Sequence, residues 1–218
     1  MTEYRHEFWK IKLEACAEKL AENNFVSFIA ETCEHAAEIF AQQIRPHLDI
    51  ATVSIGDSMS LFDTGIPDML RSDPEISFLD TFEKGVDRQE IIERRRQALL
   101  VDLFLTGSNA VTEQGQLVNL DMVGNRVGGL TFGPKHVVLV IGRNKIAADL
   151  DGAMKRIRTL AAPLNAARHE GWRTPCVKTA RCMNCKSPDR ICNTWVITEK
   201  SYPKGRIKII LVNQDLGL

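Results

Sequence analysis

The sequence predicts an α/β domain whose mostly parallel sheet is flanked by helices, with a helical extension at its N-terminal end. Three observations predict it. From about residue 50, short apolar runs alternate with stretches of helical period, the order expected of strand–helix–strand units. The runs "LLVDLFL" (99–105) and "HVVLVIG" (136–142) are apolar almost throughout, as strands covered on both faces require. The first 48 residues carry helical stripes instead, and no linker-like stretch separates them from the rest. The chain is therefore read as one domain, 1–218, with the extension at 1–48 and a cysteine-rich segment at 172–195 inside it.

The elements follow in order. Trp9, Leu13, Cys16 and Leu20 recur at helical spacing, and "ENN" ends that helix. Val26, Ile29, Cys33, Ala37, Phe40 and Ile44 make a second stripe, stopped where Arg45 precedes Pro46. Cys16 and Cys33 lie on these stripes and are read as small core residues. "IATVSIG" is a strand, "SMSLFDTGIPDML" a helix broken by Gly65 and Pro67, and "ISFLD" a short strand before a helix around Ile91. Strands are expected in "LLVDLFLTG", "QLVNLD" and "HVVLVIG", then an amphipathic helix in "AADLDGAMKRIRTLAAPLNAAR". "CNTWVITEK" and "GRIKIILVN" are the last two strands.

Composition bounds the function. At 218 residues the chain can bury roughly 70% of its unfolded surface without staples. Twenty-eight basic residues balance twenty-eight acidic ones, so overall charge implies no nucleic-acid partner. The one basic cluster, Arg94 to Arg96, lies in a helical pattern beside Glu90 and Glu93 and is read as a solvated face. No stretch approaches the roughly 20 apolar residues of a membrane span, and "MTEYRHEFWK" lacks the apolar core of a secretion signal. A cytoplasmic protein with reduced thiols is expected.

Six of fourteen glycines fall between Gly107 and Gly133, directly after a strand. In open α/β sheets, ligands bind beyond the carboxyl ends of the strands. Glycine admits close approach of backbone to ligand there, and asparagine offers an amide. Gly107, Asn109, Thr112, Gly115, Asp121, Asn125 and Arg126 are the expected binding residues, with Asn109 and Asn125 as amide contacts and Arg126 as anion partner. Glu113 is the carboxylate of the loop's first half. A second loop, "SIGDSMSL", adds Gly56, Ser58 and Ser60 at a helix start that suits an anion. Neither loop has the spacing of a dinucleotide fingerprint or a P-loop, so no nucleotide signature is present.

At these residues the chain resembles a known family. "SIGDSMSL", "TGSNAVTEQGQLVNLDMVGNRVGGLTFGPKHVVLVIGRNKI" and "ILVNQDLGL" are similar to the lactate-utilisation (LUD) domain family over most of the chain after about residue 20. The resemblance implies a branch of the fold shared by CoA transferases, ribose-5-phosphate isomerases and glucosamine-6-phosphate deaminases. In the CoA transferases a glutamate in a Glu-x-Gly context attacks the acyl-CoA. "TEQG" presents Glu113 and Gly115 in similar form, which would make Glu113 the nucleophile or base. The family takes its name from operons in which such a subunit accompanies iron–sulfur proteins oxidising lactate to pyruvate.

Cys176, Cys182, Cys185 and Cys192 cluster within seventeen positions, spaced x5, x2 and x6. Thiolates hold iron–sulfur clusters and zinc, and CxxC brings two sulfurs to one metal. The residues leave open a metal site, reversible redox thiols or simple packing; the resemblance to a family with iron–sulfur partners favours a 4Fe–4S cluster over zinc. The expected function is thus a lactate-utilisation-type protein binding a small organic acid or phosphorylated metabolite, as a subunit beside iron–sulfur oxidoreductases. The alternatives are a stand-alone CoA transferase or sugar-phosphate isomerase, and a non-catalytic metabolite sensor.

Overall fold

The computed structural model describes residues 3–218; Met1 and Thr2, at the start of the expected extension, lie outside the described residues. In chain order the elements are α1 (Glu3–Glu22), β1 (Val26–Ala30), α2 (Cys33–Ile39), β2 (Thr52–Ile55), α3 (Met59–Phe62), α4 (Ile66–Arg71) and β3 (Ser77–Leu79). Then follow α5 (Arg88–Gln97), β4 (Leu103–Thr106), β5 (Ala110–Thr112), β6 (Leu117–Asp121), α6 (Asn125–Thr131), β7 (His136–Gly142) and β8 (Ile146–Ala147). The chain closes with α7 (Leu150–Arg156), α8 (Ala162–Ala167), α9 (Pro175–Thr179), β9 (Thr194–Thr198) and β10 (Ile207–Val212).

Six strands form one sheet in the order β1-β10-β7-β4-β2-β3, every pair parallel. Both faces are covered, and alternation along β7 shows it. Val138 and Val140 join Phe40, Leu61, Ile66 and Leu70 from the α2–α4 side. Val137, Leu139 and Ile141 turn the other way and meet Leu13, Cys16 and Leu20 of α1. Every apolar residue of β7 is thus spent in a core, which is why its run lacks polar interruptions. Burial pushes the Cys16 thiol up to about 12, with Glu113 adding to the shift, so this cysteine stays protonated as a packing residue.

A second sheet, β8-β5-β6-β9, packs against α1. Val111 and Leu117 face the main core, whereas Ala110, Val118 and Leu120 face Ala153 and Ile157 on the α7 side. This mixed sheet places Asn109 and Asp121 at the carboxyl edge of the main one.

Two elements differ from expectation. Residues 26–30 are strand rather than helix: Val26 to Ala30 pair with Lys208 to Val212, so the N-terminal segment supplies an edge strand to the main sheet. Five residues with apolar positions at both helical and strand spacing cannot be resolved by periodicity. Asn24 at φ 65 turns the chain, and the open edge of β10 decides the conformation. The expected helix over 147–168 is interrupted by a π turn at Ile157–Ala161. Pro163 has no N–H for an ordinary helical bond to the preceding turn, and the wider turn accommodates it. No helix among the described residues is long and apolar enough to cross a membrane.

Candidate functional site

Parallel pairing brings the carboxyl ends of β2, β4, β7 and β10 to one edge, and the loops leaving them wall a cleft of about 360 Å³. That volume suits a small metabolite. Asp57, Ser58 and Met59 come from the loop after β2, and Gly107, Ser108 and Asn109 from the loop after β4. Lys145 follows β7, and Gly217 and Leu218 follow β10. Residues from Ile157 to Trp172 cover the opposite side. Gly107 is dictated by this crowding: a Cβ there would come within 2.5 Å of the Ser58 hydroxyl oxygen. Ser58 is itself fixed as the N-cap of α3, accepting from the Leu61 N–H at 3.2 Å.

Arg126 organises the floor. Its guanidinium pairs with Asp121 at 2.7 Å and donates to Asn109 Oδ1 at 2.6 Å and Asn119 Oδ1 at 3.0 Å. Asp121 accepts in turn from the Val127 N–H at 3.2 Å, and both charged side chains are about one-tenth exposed. Asn109 Oδ1 also accepts from the Leu120 N–H at 2.9 Å. Arg156 ties three loops together from behind, donating to the backbone oxygens of Asn109, Asn144 and Leu218 at 2.9, 2.9 and 3.1 Å. Asp57 pairs with Arg168 across the cleft, and His169 stacks on Trp172 with centroids 4.6 Å apart.

The charge count is unequal. Four cationic side chains line the cleft, Arg95, Arg126, Lys145 and Arg168, against two carboxylates, Asp57 and Asp121. Both carboxylates are already paired, with Arg168 and Arg126. Neither Lys145 nor Arg95 forms an ion pair with any described residue. Lys145 is only 5% exposed, and its amine donates to Ser60 Oγ at 2.8 Å. Burial, then the charges of Arg156 and Arg126, lower its pKa to about 7, opposed by Asp63. Arg95 lies over the Phe82 ring, 5.9 Å from its centroid, and its Nε is buried without a partner.

The four clustered cysteines are a separate feature. Cys176, Cys182, Cys185 and Cys192 line one apolar hollow of about 30 Å³, with Ile191, Met183 and Arg190. All four are free and half-buried. Burial raises the Cys192 thiol pKa, and the charges of Cys182, Cys176 and Cys185 push the same way, against Arg190. The donor chemistry suits a thiophilic metal. The spacing is open, however: no set of three or more His, Cys, Asp or Glu side chains among the described residues converges as a metal ion requires.

Comparison with known proteins decides the family. The model of the LUD domain matches residues 13–212. The chain belongs to the LUD domain family. At family level this LUD domain is a lactate-utilisation-type protein. A solved structure of a DUF162 family protein from Deinococcus radiodurans has the same fold, with a TM-score of 0.50 at 12% identity, covering 94% of this chain and 98% of that one. No curated protein matches the chain.

The residues expected from sequence divide into two places in this LUD domain. Ser58, Gly107, Asn109, Asp121, Asn125 and Arg126 line the cleft. Ser60 stands behind it, fully buried, on the Lys145 amine. Gly56 directly follows β2, its N–H bonded to the Leu105 oxygen at 2.8 Å. Thr112, the last residue of β5, and Glu113 and Gly115 in the tight connection to β6 lie outside the cleft. Thr112 Oγ1 accepts the Gln116 N–H at 3.1 Å, and Gly115 lies against the backbone of Lys19 and Leu20. Glu113 pairs with Lys12 of α1 at 2.6 Å. Arg126, expected to meet an anion, is saturated by protein acceptors and shapes the floor instead. Lys145 and Arg95 were not among the expected residues. The signal for Lys145 was its position three residues beyond the buried β7 strand; Arg95 was hidden between two arginines that pair on the surface, Arg94 with Glu90 and Arg96 with Glu93.

Proposed function

We propose that this LUD domain binds a small anionic metabolite, an organic acid or a phosphorylated compound, in the cleft at the carboxyl ends of its parallel strands. One observation carries the reading: Arg95 and the buried Lys145 amine are basic groups without an acidic partner in a cleft whose remaining charges are matched, so an anion would meet the Arg95 charge and favour the protonated form of Lys145. A cation held away from water without a partner is costly, and an anionic ligand removes that cost. Thermal melting against a panel of small carboxylates and phosphates is the direct test. A ligand at a hundred times its dissociation constant should add about 2.7 kcal/mol of stability. Arg95→Ala should abolish the shift, and neutral analogues should give none. Equal shifts from neutral analogues, or none from any anion, would end the reading.

A second part concerns the cysteines. We infer that the LUD domain works beside iron–sulfur oxidoreductase subunits and that Cys176, Cys182, Cys185 and Cys192 hold a 4Fe–4S cluster or zinc. Support comes from four thiols on one apolar hollow; metal ligands commonly close their spacing only as the metal binds. Such a centre would supply electron transfer if iron–sulfur and local order if zinc. The protein purified without oxygen should carry stoichiometric iron or zinc, and Cys182→Ser with Cys185→Ser should remove it. Metal-free protein whose thiols form disulfides on mild oxidation would assign the cluster to redox switching instead. A stand-alone transferase or isomerase is less favoured, because the cleft's two carboxylates are ion-paired and Glu113 lies outside it. A non-catalytic sensor would share the stabilisation by ligand and lack turnover.

A further inference from the structure

Lys145 does not sit in the cleft as a flexible surface cation would. The whole residue is 5% exposed and lines the cleft. The sole hydrogen bond of that amine among the described residues goes to Ser60 Oγ, on a residue with no exposed surface. Gly217 makes the room. It adopts φ +58, and a Cβ there would stand 2.7 Å from Ser60 Oγ and 3.3 Å from Lys145 Nζ. The amine and hydroxyl therefore occupy a space kept free by a glycine.

The charged surroundings are asymmetric. Arg156 and Arg126 face the amine and are held in place, one by backbone oxygens and the other by Asp121. Asp63 acts from the opposite sign but makes no ion pair with Lys145. A lysine that is desolvated and set beside fixed cations gives up its proton readily and becomes a nucleophile toward carbonyl carbon.

We propose that Lys145 is a covalent anchor: its amine condenses with the keto carbon of a small 2-oxo acid to form an imine, while the acid's carboxylate lies in the positive field of the cleft. This deepens, and rests on, the reading of the cleft as an anion site. The amine lone pair forms the new C–N bond as the carbonyl π bond opens onto oxygen. The nitrogen loses a proton and the oxygen gains one through solvent, while Ser60 Oγ holds the amine in place. The carbinolamine's remaining N–H proton then passes to the hydroxyl, which leaves as water while the nitrogen electron pair closes the C=N bond. Atoms and electrons balance without an oxidant or reductant. Ser60 acts through Lys145 and is a positioning residue.

The full chain with glyoxylate or pyruvate as probe, and cyanoborohydride to reduce any imine to a stable secondary amine, tests this by peptide mapping. At pH 7, labelling of Lys145 should exceed that of exposed lysines by on the order of a hundredfold, since those are almost wholly protonated. Its rate should level off above about pH 7, where exposed lysines are still gaining. Propionate, which has the charge but no keto group, should slow it by competition. Ser60→Ala, which keeps the amine, should slow labelling about tenfold, and Lys145→Arg should lose the adduct. Labels spread evenly over surface lysines would overturn the proposal. If propionate or another anion of the carboxylate and phosphate panel nevertheless stabilises the protein, the anion cleft survives and only the imine is lost; if none does, both readings fall together.

Discussion

The cleft and the cysteine hollow lie in the same domain but are built by different means. The cleft takes its shape from the ends of four parallel strands, and its critical side chains are buried and cross-bonded: Ser60, Ser108, Lys145 and Asp121 are each less than a tenth exposed. The hollow is made by an irregular segment in which Thr174 and Ile191 are buried but all four cysteines are half-exposed. Its short helix α9 ends at Ala180 in left-handed conformation, and Asn184 repeats that conformation two residues beyond Cys182. Arg190 holds it by donating to the Cys192 oxygen at 2.9 Å and to Asn184 Oδ1 at 3.0 Å. The first site is preorganised by the sheet, whereas the second opens at low cost until something binds it. An anion would meet a finished cleft, and a metal would complete its own site.

Paired substitutions test that contrast. Arg126→Met has the largest expected effect, about 3–5 kcal/mol of stability, because Asp121 is left buried without its counter-charge. Urea denaturation measures it. The equivalent change in the hollow, Arg190→Met, should cost less, about 1.5–3 kcal/mol, since it removes exposed and half-buried hydrogen bonds to the Cys192, Cys185 and Asn184 oxygens, all neutral acceptors. It should leave anion binding in the cleft intact. Equal costs at the two sites would mean that the cysteine segment is as firmly built as the strand ends.

Lys145→Met probes the cost of keeping a cation in the finished site. The folded pKa of Lys145 is lowered to about 7, so between there and the ordinary lysine range the unfolded chain binds a proton that the native chain does not. Stability from this residue is therefore lost as pH falls from the unfolded pKa to the folded one, and is constant below it. Removing the amine should stabilise the ligand-free protein at pH 7 by about 2 kcal/mol or more, and the advantage should shrink by about 1.4 kcal/mol per pH unit on going alkaline. Denaturation of both proteins from pH 6 to 9 checks the slope. The same variant should bind small carboxylates at least tenfold more weakly. A stability difference that does not change with pH would show that the native amine is charged like any surface lysine.

The sequence showed where the cleft is more clearly than which side chains furnish its charge. Nearly continuous apolar runs in β4 and β7 fit burial on both faces, so a parallel sheet was legible, and glycine and asparagine after β4 marked a strand end that opens into the cleft. The second sheet was not legible, because β6 gains its partner β9 across a long stretch of chain, Val118 meeting Ile197. The edge strand β1 was masked by a helical coincidence of spacing. Arg95 and Lys145 were missed for a common reason: a basic residue among other charges reads as solvated, and only tertiary packing reveals which one in three turns inward. Asp121 and Arg126 were read as ligand contacts although most of their hydrogen-bonding capacity is consumed by each other and by nearby backbone.

Glu113 gives the smallest and most discriminating prediction. The resemblance to the transferases singled it out, yet its carboxylate pairs with Lys12 at the α1 surface, both side chains more than a third exposed. Pairs in that setting contribute about 0–1 kcal/mol. Glu113→Gln should therefore change stability by about 0.5 kcal/mol or less and leave the affinity for carboxylates unaltered, whereas Arg95→Ala weakens it. Calorimetric titration of the two variants with one ligand separates the outcomes. If the glutamine variant loses binding while the alanine variant retains it, chemistry belongs to the β5–β6 connection, and the strand-end cleft is a structural space rather than the site.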